Sequence, residues 1–212
     1  MNTRILIFGD SITWGALDEE GGWADRIKRN VDKKLIADSN YDSSVYVLGV
    51  SGDTTEDLLK RIDIESSTRI DNDNPLTMLI AIGINDSQIL FETGKNKISP
   101  TEFHSNLEML MKIAKKYAKN IALIGLTPVI EERANSREGK NHKAYLVKEV
   151  EKYEELLKQF TKQNNLDFIE VYDDFQKEKY EELLPDGLHP NSSGHEIIYN
   201  KVIEYLEEKK WA

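Results

Sequence analysis

Five residues scattered along the chain are of the types that acyl transfer through a serine requires: Ser11, Gly52, Asn85, Asp186 and His189. A serine hydroxyl is a poor nucleophile near neutral pH unless a neighbouring base takes its proton, and histidine is the side chain best matched to that task. His189 is the candidate base. An imidazole works best when a carboxylate holds its other ring nitrogen, and Asp186 lies three residues earlier in a turn stiffened by Pro185 and Pro190. The tetrahedral intermediate also needs hydrogen-bond donors for its oxyanion. Gly52 offers a backbone N–H with no Cβ to obstruct a substrate, Asn85 offers a side-chain amide, and the N–H of Ser11 is a third donor. Each residue also has a plainer reading. Asp186 and His189 suit a surface turn before a helix, Asn85 suits a turn, and Gly52 suits a backbone that needs positive φ.

The elements that must position these residues can be read from the apolar pattern. Arg4 to Gly9 is a short apolar run ending at Gly9-Asp10-Ser11, which suits a strand covered on both faces. Trp23, Ile27, Val31 and Leu35 mark the buried stripe of a helix over residues 23–37. A second strand runs from Ser44 to Val50 and stops at Ser51-Gly52-Asp53-Thr54. Asp53 precedes Glu56 at capping-box spacing, and Leu58, Leu59 and Ile62 continue the helix that follows. Asp71 to Pro75 is turn chemistry before a third strand, Leu76 to Gly83, which runs directly into Ile84-Asn85-Asp86-Ser87.

Ser99-Pro100-Thr101-Glu102 opens the next helix, with Phe103, Leu107, Leu110, Ala114 and Tyr117 on its inner face. The fourth strand is expected over Asn120 to Leu126. A helix carrying Leu146, Val150, Tyr153, Leu157 and Phe160 follows, with its charges on a solvated outer face. The fifth strand is expected over Leu166 to Val171, and Ile198, Val202 and Tyr205 define a closing helix. Loops 87–97 and 127–141 are candidate lids.

Five strands alternating with helices imply a three-layer α/β/α domain over residues 1–212, with a parallel sheet in the flavodoxin-like order 2-1-3-4-5. Right-handed crossovers put every strand's carboxyl end on one rim. Ser11, Gly52, Asn85 and the 186–189 turn therefore converge there.

At these positions the chain resembles the SGNH hydrolases, also called GDSL lipases and esterases. Gly9-Asp10-Ser11, Ser51-Gly52-Asp53-Thr54, Gly83-Ile84-Asn85-Asp86 and Asp186-Gly187-Leu188-His189-Pro190 look like that family's four blocks, in order. The resemblance implies the same fold and hydrolysis of esters or thioesters through an acyl-serine. By it, Ser11 is the nucleophile, Gly52 and Asn85 are oxyanion donors, His189 is the base and Asp186 its partner. Ile12 stands where the name-giving motif has leucine, a swap that bears on packing rather than chemistry.

Composition bounds the rest. Lys and Arg number 28 against 38 Asp and Glu, a net charge of −10 that repels nucleic-acid backbones and anionic membranes. The absence of cysteine excludes a disulfide framework and a thiol nucleophile. Met1 to Arg4 run straight into strand-like residues, so the chain as read carries no signal peptide and is expected to be cytoplasmic. The expected partner is a small-molecule ester, with no cofactor, no metal and no stable membrane insertion.

Two rival classes compete. A divalent-metal phosphoesterase would use Asp10, Asp86, Asp186 and His189 as ligands, leaving Ser11, Gly52 and Asn85 without roles. A non-catalytic flavodoxin-like module would bind phosphate at the first turn, where Asp10 repels it and no P-loop lysine or Gly-x-Gly-x-x-Gly spacing is present. Ser11 also lies outside any Gly-x-Ser-x-Gly elbow, which disfavours the α/β-hydrolase fold. His104, His142 and His195 read as packing or surface histidines, Asp10, Asp53 and Asp86 as turn-orienting residues, and Trp14 as a residue of an acyl pocket or of the core.

Overall fold

A computed structural model describes residues 2–71, 74–135 and 142–211. In chain order the elements are β1 Arg4–Gly9, α1 Ser11–Trp14, α2 Gly22–Ala37, β2 Ser44–Gly49, α3 Thr55–Ser67, β3 Leu76–Ala81, β4 Ile89–Leu90, β5 Lys95–Asn96 and α4 Pro100–Tyr117. They continue with β6 Ala118–Ile124, α5 Glu131–Ala134, β7 Lys143–Ala144, α6 Val147–Gln163, β8 Asp167–Ile169, α7 Tyr172–Lys177, α8 Tyr180–Leu183 and α9 Ser192–Glu208.

The main sheet is parallel, with strand order β2-β1-β3-β6-β8. Counting only these five strands, this is the expected 2-1-3-4-5 arrangement. β1 lies between β2 and β3 and is buried on both faces, as Ile5, Leu6, Ile7 and Phe8 are all inaccessible to solvent. One layer is built from α2 packed on α9, the other from α3 and α6 packed on α4.

The strand ends differ from the sequence reading by a few residues. β6 begins at Ala118 rather than Asn120, and β3 ends at Ala81 rather than Gly83. The last strand contracts to Asp167–Ile169 because it pairs with β6 only from Ala122 to Ile124. Leu35, expected on the buried stripe of α2, is 41% exposed, since that helix's inner contacts end one turn earlier at Val31. Trp14 is 61% exposed and is no part of the core. The α3 capping box belongs to Thr54 and Asp57, one residue beyond the expected Asp53 and Glu56, while Asp53 turns to Arg61 instead. The box at Ser99 and Glu102 forms as expected, with Pro100 at the first helical position.

Glu154 breaks the expected solvated face of α6. It is buried, and its Oε2 accepts the Leu126 N–H at 2.7 Å, where the chain has left the ladder of β6. Loop 87–97 is likewise less open than expected. β4 pairs antiparallel with both β5 and β7, forming a small ribbon that ties the loop to the stretch before α6. Residues 136–141 of the second candidate lid, and residues 72 and 73 of the expected turn, lie outside the described residues.

The turn out of β1 is tightly confined. A Cβ on Gly9 would lie 2.1 Å from Thr13 Oγ1 and 2.6 Å from the Ala81 carbonyl oxygen. Gly9→Ala is therefore expected to destabilise the protein by about 1–3 kcal/mol through overpacking. A lower urea midpoint with an unchanged m-value checks this.

Candidate active site

The first strand-to-helix turn presents Ser11 at the start of α1. Asp10 caps this one-turn helix, its Oδ1 accepting the Ile12 N–H at 2.9 Å, and Gly15 closes it in the left-handed conformation at φ 89°. Ser11 is thereby fixed at the carboxyl end of β1.

The histidine arrives from the far end of the chain. Ser11 Oγ lies 2.9 Å from His189 Nε2, across 178 residues of sequence. The ring's Nδ1 lies 2.7 Å from Asp186 Oδ2. Asp186 Oδ1 accepts the backbone N–H groups of Leu188 and His189 at 3.0 and 2.8 Å, so both carboxylate oxygens are engaged. Partial burial pushes the Asp186 carboxyl up, but these hydrogen bonds outweigh it and hold the group at about 2. The carboxylate is thus ionised throughout the neutral range.

The turn that carries both groups depends on Gly187. Its φ is 83°, and a Cβ there would lie 2.5 Å from the Ala134 nitrogen and 2.6 Å from the Ile130 carbonyl oxygen. The Gly187 carbonyl in turn accepts the Ile130 N–H at 2.8 Å, so the turn is seated on the start of α5.

Gly52 and Asn85 complete the rim. Gly52 has φ 84°, and a Cβ added there would meet nothing within 4 Å, which means its backbone faces open space. Asn85 is buried, and its Nδ2 donates to the Asp53 carbonyl at 3.0 Å, tying the turn after β3 to the turn after β2. The same nitrogen lies 3.4 Å from Asp10 Oδ2, a long contact that leaves one amide hydrogen weakly engaged. All five expected residues are therefore brought to one rim, and the four turns are joined by direct hydrogen bonds.

Two carboxylates beneath this rim are desolvated. Burial pushes Asp10 up to about 7 against the Ile12 hydrogen bond and the nearby His189, with Asp86 and Asp53 raising it further. Burial likewise pushes Asp86 up to about 6, although Thr55 donates to it from both its N–H and its hydroxyl. Asp53 is held differently, by Arg61 Nε at 2.8 Å, and the same guanidinium donates to the Gly9 carbonyl at 3.0 Å.

The ligand set of the rival metal reading is not assembled. Each of Asp10, Asp86 and Asp186 is committed to local N–H or imidazole donors, and among the described residues no group of three or more acidic, histidine or cysteine side chains is arranged to hold a metal. His195 packs as expected. It is fully buried, its Nδ1 accepts the Trp23 N–H, and its Nε2 donates to the Ala16 carbonyl.

Two residues at the site were not singled out from sequence. Gln88 Nε2 donates to Asn85 Oδ1 at 3.2 Å, and the Tyr145 hydroxyl donates to the same oxygen at 2.7 Å. The signal for Gln88 was its place three residues after Asn85 in an unbroken polar run. Tyr145 gave none, being a single aromatic at the end of a polar loop.

With this geometry stand the likenesses to known proteins. The model of the GDSL-like lipase/acylhydrolase family matches residues 7–197, and the chain belongs to that family. With that membership it is a carboxylic ester hydrolase. It is 27% identical over 220 residues to the human isoamyl acetate-hydrolyzing esterase 1 homolog, covering 97% of this chain and 82% of that protein. Among solved structures, the lipase/acylhydrolase from Enterococcus faecalis superposes with a TM-score of 0.74 at 23% identity, covering 98% of this chain and 96% of that one. The acetylxylan esterase Axe2 from Geobacillus stearothermophilus gives 0.69 at 22% identity, covering 97% and 93%. Both structures share the fold. No helix among the described residues is long and apolar enough to cross a membrane.

Stability should report the desolvated acids. A carboxyl raised by burial keeps its proton in the folded state at pH values where the unfolded chain has lost it, so stability is gained as pH falls from about 7 to about 4. Asp10→Asn keeps the cap but removes this titration. The variant is expected to show a shallower rise in urea midpoint over that range, and an unchanged rise would assign the effect to other groups.

Proposed function

We propose that the protein hydrolyses small carboxylic esters through an acyl-Ser11 intermediate. The observation that carries this reading is the line of contacts Asp186–His189–Ser11, at 2.7 and 2.9 Å, ending on a hydroxyl at the open rim of the sheet.

The roles follow from that line. Ser11 Oγ attacks the carbonyl carbon of the ester while its proton passes to His189 Nε2. Asp186, kept ionised by its hydrogen bonds, fixes the proton on Nδ1 and stabilises the imidazolium that forms. The negative charge that develops on the carbonyl oxygen is met by the N–H groups of Ser11 and Gly52 and by Asn85 Nδ2. Collapse of the intermediate breaks the bond to the alcohol, whose oxygen takes the proton from His189. Water then repeats the sequence on the acyl-serine, releasing the acid and restoring Ser11. No cofactor or metal takes part.

Acetate esters are the proposed substrates. The support lies in the relatives, since the human protein and Axe2 are named for isoamyl acetate and acetylxylan. Thioesters and longer acyl chains are weaker candidates on that ground.

Ser11→Ala is expected to abolish turnover of an aryl acetate and covalent labelling by a fluorophosphonate, and labelling at the wild-type rate would move the nucleophile elsewhere. Asn85→Ala should lower kcat by about 10² to 10³, or roughly 3 to 4 kcal/mol in the barrier. An effect confined to KM would instead make Asn85 a ground-state contact. A panel of isoamyl acetate, acetylated xylooligosaccharides, butyryl and octanoyl esters and acetyl-CoA tests the substrate class, with acetate esters expected to give the highest kcat/KM.

A further inference from the structure

The Asn85 carboxamide is held at its oxygen by the side chains of Gln88 and Tyr145. Its Oδ1 accepts two hydrogen bonds, from the Tyr145 hydroxyl at 2.7 Å and from Gln88 Nε2 at 3.2 Å. Gln88 Nε2 also donates to the Tyr145 oxygen, so the three groups form a closed triangle in which every hydrogen points toward an oxygen. Both acceptor sites of the Asn85 carbonyl are filled, and its NH2 faces the opposite way, where it meets the Asp53 carbonyl at 3.0 Å and, at a long 3.4 Å, Asp10 Oδ2. Hydrogen bonds accepted at an amide oxygen also draw charge from the nitrogen and make its N–H a stronger donor.

The triangle is costly to keep. Gln88 is completely buried, and its Oε1 has no hydrogen-bond partner among the described residues. An apolar side chain of the same length would avoid that loss, which points to a use other than stability. Tyr145 is buried as well, and burial raises its hydroxyl so that it remains a protonated donor at any working pH.

Tyr145 is itself positioned by a second clasp. Asn135 Nδ2 donates to the Tyr145 carbonyl at 2.8 Å, and the Tyr145 N–H donates to Asn135 Oδ1 at 2.9 Å. The two residues immediately before it, Lys143 and Ala144, form β7 and pair with β4, the strand that starts just after Gln88. The antiparallel ribbon thus fixes Gln88 and Tyr145 relative to each other.

We propose that Gln88 and Tyr145 are positioning residues that hold and polarise the Asn85 amide, so that docking of the β7 stretch onto β4 completes the oxyanion hole. This rests on the reading of Asn85 as an oxyanion donor. It makes β7 and Tyr145 a part of the catalytic geometry.

A double-mutant cycle on aryl acetate hydrolysis tests it, with melting temperature measured for every variant. Tyr145→Phe and Gln88→Met should each lower kcat about tenfold with KM nearly unchanged, within the range of coupling found inside one hydrogen-bonded network. Gln88→Met should hold or raise the melting temperature, which a merely structural glutamine would not do. In the Asn85→Ala background neither substitution should lower kcat further. Losses that persist in full in that background, or wild-type kcat in both single variants, would overturn the proposal while leaving Asn85's own role standing. Wild-type kcat in Asn85→Ala alone would overturn that role and this proposal with it.

Discussion

One line of short contacts, from the Asp186 carboxylate through the His189 ring to the Ser11 hydroxyl, constrains everything else in the molecule. Its members come from opposite ends of the chain, and they meet because a parallel sheet delivers every strand's carboxyl end to the same rim. Ser11 is held by a single capped helical turn at the end of β1. His189 and Asp186 sit on a loop whose shape requires Gly187 in the left-handed region and pressed against the backbone of α5. The precision lies in the turns, and the buried strands supply the rigid frame on which they stand.

Much of the polar structure beneath the rim is desolvated. Asp10 and Asp86 are carboxyls removed from water with their pKa values raised, and Gln88 buries an oxygen with no partner among the described residues. Each carries a desolvation cost. Their common feature is location. Asp10 caps the helix that carries Ser11, Asp86 anchors the start of α3 behind the Gly52 turn, and Gln88 backs Asn85. The desolvation at these three points goes with hydrogen bonds that fix the orientation of Ser11, the Gly52 turn and Asn85. Arg61 adds to the same frame, joining the Gly9 carbonyl to the Asp53 carboxylate.

What the sequence made legible follows from the kind of signal each feature emits. The first three strands of the main sheet are apolar runs that lead into Gly9, Gly52 and Gly83, and the 2-1-3-4-5 order is the usual arrangement for five strands alternating with helices. The five site residues stand out because serine, histidine, an acid, an amide and a bare backbone at strand ends form a chemical set. Features that depend on single tertiary contacts were not legible. Glu154 looks like any other charge on an amphipathic helix until Leu126 N–H is seen to need it. β4, β5 and β7 are two residues each, shorter than any periodic pattern can reveal, yet they bring Tyr145 to Asn85. The cap of α3 fell one residue late because Thr54-Asp57 and Asp53-Glu56 have the same spacing, and only Arg61 decides between them by claiming Asp53.

The central claim is that the His189 ring carries its proton on Nδ1 toward Asp186 and presents Nε2 as the acceptor of the Ser11 hydroxyl. Nuclear magnetic resonance of the protein with isotope-labelled histidine nitrogens reads this directly. The account predicts a protonated, slowly exchanging Nδ1 with a low-field hydrogen and an unprotonated Nε2 at a pH where the enzyme is active, with the low-field signal lost in Asp186→Ala. A ring protonated on Nε2 instead, or one exchanging freely between both forms, would contradict it.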